Sequence, residues 1–158
     1  MRARLTARCA GNPKIEVRSI DELEALPKNS LDLAVMHSVT QYMTPAELAA
    51  ALDLMRRLLK PDGQLVLGDI IAPDTIAAVD AAALLRFGLA NGFFIAAFAG
   101  LGRTFFSDYW RLRSTIGLTR YDQTAITAKL ATHGFAAVSA PRNIGHNQAR
   151  MTLLCTPC

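Results

Sequence analysis

His37 and Asp69 are the residues whose types and placement point to proton chemistry. His37 follows one short apolar run, residues 31–36, and Asp69 lies near the end of another, residues 65–71. If the two runs are neighbouring strands, a carboxylate beside an imidazole can hold its orientation, so that the ring deprotonates a hydroxyl or amine. A histidine after a strand also serves as a plain hydrogen-bonded structural group, and the sequence leaves both roles open. His133 and His146 have no spacing to Cys, Asp or Glu that would make a metal site. Cys155 and Cys158 form a C-x-x-C pair at the end of the chain, where no helix follows to lower a thiol pKa, so redox chemistry is disfavoured.

The elements that position His37 and Asp69 form one β-α-β unit over residues 30–71. Both apolar runs suit strands buried on both faces of a parallel sheet. Between them Thr44 has the N-cap hydroxyl, Pro45 fits the first helical position, and Glu47 completes a Thr-x-x-Glu capping box. Leu48, Leu52, Met55 and Leu59 recur at spacings of three and four, which gives the helix one sheet-facing stripe. Arg56, Arg57 and Lys60 complement the helix dipole, and Pro61-Asp62-Gly63 supplies the stop and the turn. A right-handed crossover then returns the chain as a parallel strand.

Elsewhere, residues 1–13 predict a helix closed by Gly11, Asn12 and Pro13, and the alternation over 15–20 predicts a strand. Ile20 and Asp21 would then stand at the carboxyl edge of the sheet, where ligands bind. Asp74 is placed to cap a helix through Ala77, Ala81, Leu84 and Leu85, which Asn91-Gly92 interrupts. The apolar stretch 87–101 is shorter than the roughly 20 residues that span a bilayer. It reads as a buried helical hairpin over a pocket, as a surface dipping into a membrane, or as a dimer interface. Phe105, Phe106, Tyr109 and Leu112 have core-like helical spacing beside Trp110. Asp122 caps another helix, through Ile126 and Leu130, that His133-Gly134 ends; strands at 135–140 and 151–155 form an antiparallel hairpin.

The length of 158 residues, 51% apolar and 19% charged, suits one globular domain. The net charge of +4 comes from dispersed arginines with no basic and aromatic alternation, so nucleic-acid binding is not expected. Three cysteines make no disulfide framework, which fits a reducing, cytoplasmic setting.

In the wording of its central unit the chain resembles the class I S-adenosylmethionine-dependent methyltransferases. The matching phrases are Asn29-Ser30-Leu31-Asp32-Leu33, His37-Ser38-Val39-Thr40-Gln41-Tyr42, and Leu58-Leu59-Lys60-Pro61-Asp62-Gly63 before an apolar strand, with Gly134-Phe135 before the final hairpin. The resemblance implies a Rossmann-like α/β sheet, mostly parallel with an antiparallel last strand, carrying a helical insertion at about 74–120. It implies S-adenosyl-L-methionine as cofactor, with Ile20 and Asp21 flanking the adenine and Met36, His37 and Ser38 lining it. Gln41 and Tyr42 would sit at the mouth, beside a small, apolar acceptor. The family's glycine-rich loop after the first strand has no counterpart here, which makes the chain an N-terminally truncated domain on this comparison. Its missing strands would leave a hole between the 15–20 strand and the 31–36 strand. A non-catalytic subunit that completes its sheet with another chain, or a peripheral membrane module, is the alternative.

Overall fold

The computed structural model describes residues 2–105 and 118–158. The aromatic helix expected around Trp110 lies outside them.

Four strands form one open sheet in the order β1-β2-β4-β3, with β1 at Leu31–His37, β2 at Leu59–Ile70, β3 at Phe135–Ser139 and β4 at Met151–Pro157. β1 and β2 are parallel, and β4 runs antiparallel to both β2 and β3. Three strands therefore point one way and the last points back, as expected from sequence.

The crossover between β1 and β2 is helix α3, Pro45–Leu58. Its start is built as the sequence dictates: Thr44 accepts from the Glu47 amide, Glu47 accepts from the Thr44 amide, and Pro45 follows the cap. Leu48 and Leu52 pack with Ile126 and Leu130 of the helix Gln123–Thr132, which follows Asp122 as its N-cap. Both helices cover the same face of the sheet, against Ala34, Leu65, Leu67, Ile70, Phe135, Leu153 and Cys155. Burying side chains of this size contributes about 1.5–3 kcal/mol each.

Pro61-Asp62-Gly63 does not separate helix from strand. β2 begins at Leu59, directly after α3, and the triplet is an outward loop within it: Leu31 pairs with Leu59 but Leu33 with Gln64. Gly63 fits a tight place there, since a Cβ would lie 3.1 Å from the carbonyl oxygens of Leu31 and Lys60, closer than side chains usually come. The cations near the end of α3 do more than offset its dipole. Arg57 donates to the carbonyls of Leu26 and Glu24, Arg56 to those of Gly134 and Cys158, and Lys60 pairs with Asp32.

The strand expected at 15–20 does not form. Helix α1, Arg2–Cys9, leads through irregular chain to helix α2, Ile20–Glu24, capped by Ser19, and neither helix buries a residue. A strand needs a partner for its amide and carbonyl groups, and none of the described residues offers one. The sheet therefore has no internal gap; it starts at β1. That strand is buried on one face only, with Leu33 and Val35 each 54% exposed on the other.

Two more helices, α4 at Ala77–Ala90 and α5 at Phe94–Phe105, form the expected hairpin around Gly92, whose φ is +77°. Asp74 does not cap α4: Ile76 occupies the N-cap and offers no side-chain bond. Nor is the hairpin buried, since Ile95 is 84% exposed and Leu89 and Phe98 are also open. The helix Gln123–Thr132 is α6 in chain order. No described helix is long and apolar enough to cross a membrane.

Candidate functional site

The carboxyl ends of β1 and β2 lie side by side, with His37 opposite Gly68. Immediately beyond, the chain takes left-handed backbone at two residues that are not glycine, Ser38 with φ 55° and Asp69 with φ 66°. Such backbone costs of order 1–3 kcal/mol and persists only where the surroundings enforce it. Here they do. The Ser38 hydroxyl donates to Asp69 Oδ2 at 2.5 Å, and the Ser38 amide donates to the Gly68 carbonyl at 3.1 Å.

Asp69 is held from the other side by the loop between β3 and β4. Asn143 Nδ2 donates to Asp69 Oδ1 at 3.2 Å, while Asn143 Oδ1 accepts from the Asp69 amide and from the Thr152 hydroxyl. Arg150 donates to Asp69 Oδ2 at 2.5 Å and, through Nε and Nη2, to both oxygens of Asp80 on α4. Burial opposes the charge on Asp69. The Ser38 hydroxyl, the Arg150 guanidinium and the Asn143 amide outweigh it and hold the carboxyl below its ordinary value. Burial likewise opposes the charge on Arg150, and the bonds and charges of Asp80 and Asp69 reverse that effect.

His37 is exposed, with its ring between two glycines. A Cβ on Gly68 would lie 2.8 Å from His37 Nδ1, and one on Gly145 would lie 3.3 Å from His37 Cε1. The two residues expected to act together are thus neighbours without being partners. Asp69 does not orient His37, because Ser38, Asn143 and Arg150 take its oxygens.

The other expected site residues divide. Met36 is half-buried against the core, whereas Ser38 stands at the strand end. Gln41 and Tyr42 lie on a 3-10 turn, Thr40–Tyr42, just after it. Tyr42 is exposed, but Gln41 is buried, and its amide donates to the Ser38 carbonyl at 3.0 Å. Gln41 therefore braces the left-handed turn and does not face a mouth. Ile20 and Asp21 are not at this edge. They lie in α2, whose end is tied through Arg57 to the last turn of α3, where β1 and β2 begin. Without the 15–20 strand nothing carries them to the carboxyl side.

Sequence reasoning missed Arg150, Asn143 and Asp80. Arg150 bonds to residues 81 and 70 positions away, so no local pattern marks it. The isolated Gly68 within an apolar strand was an available signal, since such a glycine often marks close approach of another group. Among the described residues no group of His, Cys, Asp and Glu could hold a metal ion. Cys155 is buried, and burial pushes its thiol up to about 12. Cys158 is exposed three positions on, so a strand at about 3.3 Å per residue holds the pair beyond disulfide reach.

Residues 1–67 match the sequence model of a family described as a methyltransferase domain. The α3 crossover and most of the parallel β1–β2 pair lie within the matched residues, and beyond them the reversed last strand fits the same fold. The fold is the Rossmann-like fold of a methyltransferase domain. Among solved structures, the mitomycin 7-O-methyltransferase MmcR is 14% identical with a TM-score of 0.61, over 99% of this chain and 38% of its own. LepI, in a complex with SAM, is 8% identical with a TM-score of 0.58, over 100% of this chain and 35% of its own. A pericyclic reaction enzyme is 11% identical with a TM-score of 0.58, again over 100% and 35%. This methyltransferase-fold chain thus spans little more than a third of the length of each of these three structures. No curated protein matches it by sequence.

Proposed function

We propose that the chain forms the acceptor-side wall of an S-adenosylmethionine-dependent methyltransferase, with His37 as general base for a small hydroxyl- or amine-bearing acceptor. One observation carries this: adjacent strand ends hold Ser38 and Asp69 in strained backbone, bonded to each other, beside an exposed histidine. Strain of this kind collects at binding sites. The carboxyl edge of an open α/β sheet is also where ligands bind.

His37 and Ser38 would contact the cofactor, which supplies the transferable methyl group when bound. Neither the described residues nor the sequence before β1 offers a glycine-rich turn to hold it, so this wall is one side of the site. Positioning accounts for most of the catalysis in such an in-line displacement, and His37 would take the proton that the nucleophile releases. Fold alone names no reaction, as the pericyclic neighbour illustrates.

A second reading is a subunit that completes its sheet with another chain, favoured by the unpaired outer edge of β1 and the bare Leu33 and Val35. Three free cysteines accord with a reducing, cytoplasmic setting for either.

The test joins this chain to a glycine-rich first strand, in one polypeptide or as a second chain, and titrates S-adenosylhomocysteine by calorimetry. Saturable heat supports the cofactor reading, and none at about millimolar ligand defeats it. In the active assembly His37→Ala should lower turnover by roughly 10²–10⁴-fold, far more than it weakens cofactor binding. Unaltered turnover would remove His37 from the mechanism.

A further inference from the structure

Between α4 and the loop that joins β3 to β4 lies an open cleft of about 440 Å³. Its helical wall presents Val79, Ala82, Ala83, Arg86 and Phe87, one face at spacings of three and four. The cleft exists because two central positions of that face are alanines. Across it stand His146 and Asn147, with the His146 ring 5.6 Å from Phe87 and tilted by 33°.

Arg86 is the one Asp, Glu, Lys or Arg side chain lining the cleft, and it has no hydrogen bond or ion pair among the described residues. The nearby acid, Asp80, is six positions back along α4, about 9 Å at the helical rise. Its oxygens already accept from Asn147 and Arg150, and it makes a further interaction besides. The cleft therefore offers a guanidinium with no partner among the described residues, beside aromatic and methyl groups, and the nearby carboxylate of Asp80 lies outside its lining and is already engaged.

We propose that this cleft binds a planar aromatic carboxylate, its acid group at Arg86 and its ring against Phe87 and His146. A guanidinium matches a carboxylate with two parallel hydrogen bonds. Flat aromatic walls favour a ring over a branched aliphatic group of equal size. The Gly145-His146 run separates this cleft from His37, since Gly145 lies against the His37 ring. The site does not depend on methyl transfer and is testable without cofactor.

The experiment is an NMR titration of the chain with benzoate, following the His146 ring protons, with uncharged benzamide as control. Benzoate should saturate in the roughly millimolar range and benzamide should bind at least about tenfold more weakly. Arg86→Gln, an exposed position, should weaken benzoate by a similar factor, and Ala82→Leu should abolish binding by filling the space. Circular dichroism checks that each variant keeps its helices; if Ala82→Leu does not, Arg86→Gln decides. Equal binding of benzoate and benzamide, unchanged affinity in Arg86→Gln, or no saturation by about 10 mM benzoate overturns the proposal.

Discussion

At the scale of single residues, the site turns on Asp69, which joins the strained Ser38 turn to Arg150 and Asn143. Its carboxyl is held below the ordinary 3.8, so its contribution to stability is full above that value and is lost as pH falls through its lower folded value. Asp69→Asn tests this cleanly, because asparagine tolerates left-handed backbone as well as aspartate does. Arg150 keeps Asp80, so the loss at neutral pH should be about 1–3 kcal/mol, below that for leaving a charge wholly unpaired. Urea unfolding of the two proteins at pH 7 and at low pH should show the gap narrowing as Asp69 is protonated. A gap constant across that range would mean that the charge is not what stabilises. His37 was legible from its place after a strand, but its neighbours were not. Gly145, Asn143 and Arg150 come from a loop that reads in sequence only as a hairpin connection.

At the scale of elements, legibility followed how local each determinant is. The α3 start was readable because Thr44, Pro45 and Glu47 act within one turn. The 15–20 strand failed because alternation describes a strand's faces and says nothing of its partner. The hairpin was readable from Asn91-Gly92, but its exposure was not, since apolar composition does not say what covers a surface. One residue sets the closeness of α4 to α5: a Cβ on Gly88 would lie 3.0 Å from Ala97 Cβ and 3.2 Å from Phe94 Cα. Gly88→Leu should push the helices apart at about 1–3 kcal/mol, seen as faster amide exchange in α5 with the sheet unchanged. A Cβ on Gly102, in α5, meets nothing within 4 Å, so Gly102→Ala should slow exchange in α5 by gaining up to about 1 kcal/mol of helix propensity. If both variants exchange like the parent, the Gly88 contact does not hold the hairpin.

At the scale of the whole molecule, helices cover one face of the sheet, while the other is buried at its central strands, where Val66 and Thr152 lie, and open at its edge strands. α3 and α6 bury Ala34, Leu65, Leu67 and Phe135, while Leu33 and Val35 of β1 and Val138 of β3 point to solvent. The outer edge of β1 also pairs with no described strand. An exposed apolar strand with free amides and carbonyls is a template for another strand. An apolar face rimmed by charge marks a protein contact, and Asp32 and Lys60 stand close by. We therefore expect the isolated chain to associate with itself through β1, which sedimentation velocity should show as mass rising with concentration up to about 100 μM. Val35→Lys places a charge on that face without touching the α3 side, and should return the chain to a monomer while the helical signal and the Asp69 pH response stay as they were. A parent that is already monomeric throughout, or a Val35→Lys variant that still associates, would place the contact elsewhere, with the exposed Ile95 and Phe98 of α5 the next surface to alter.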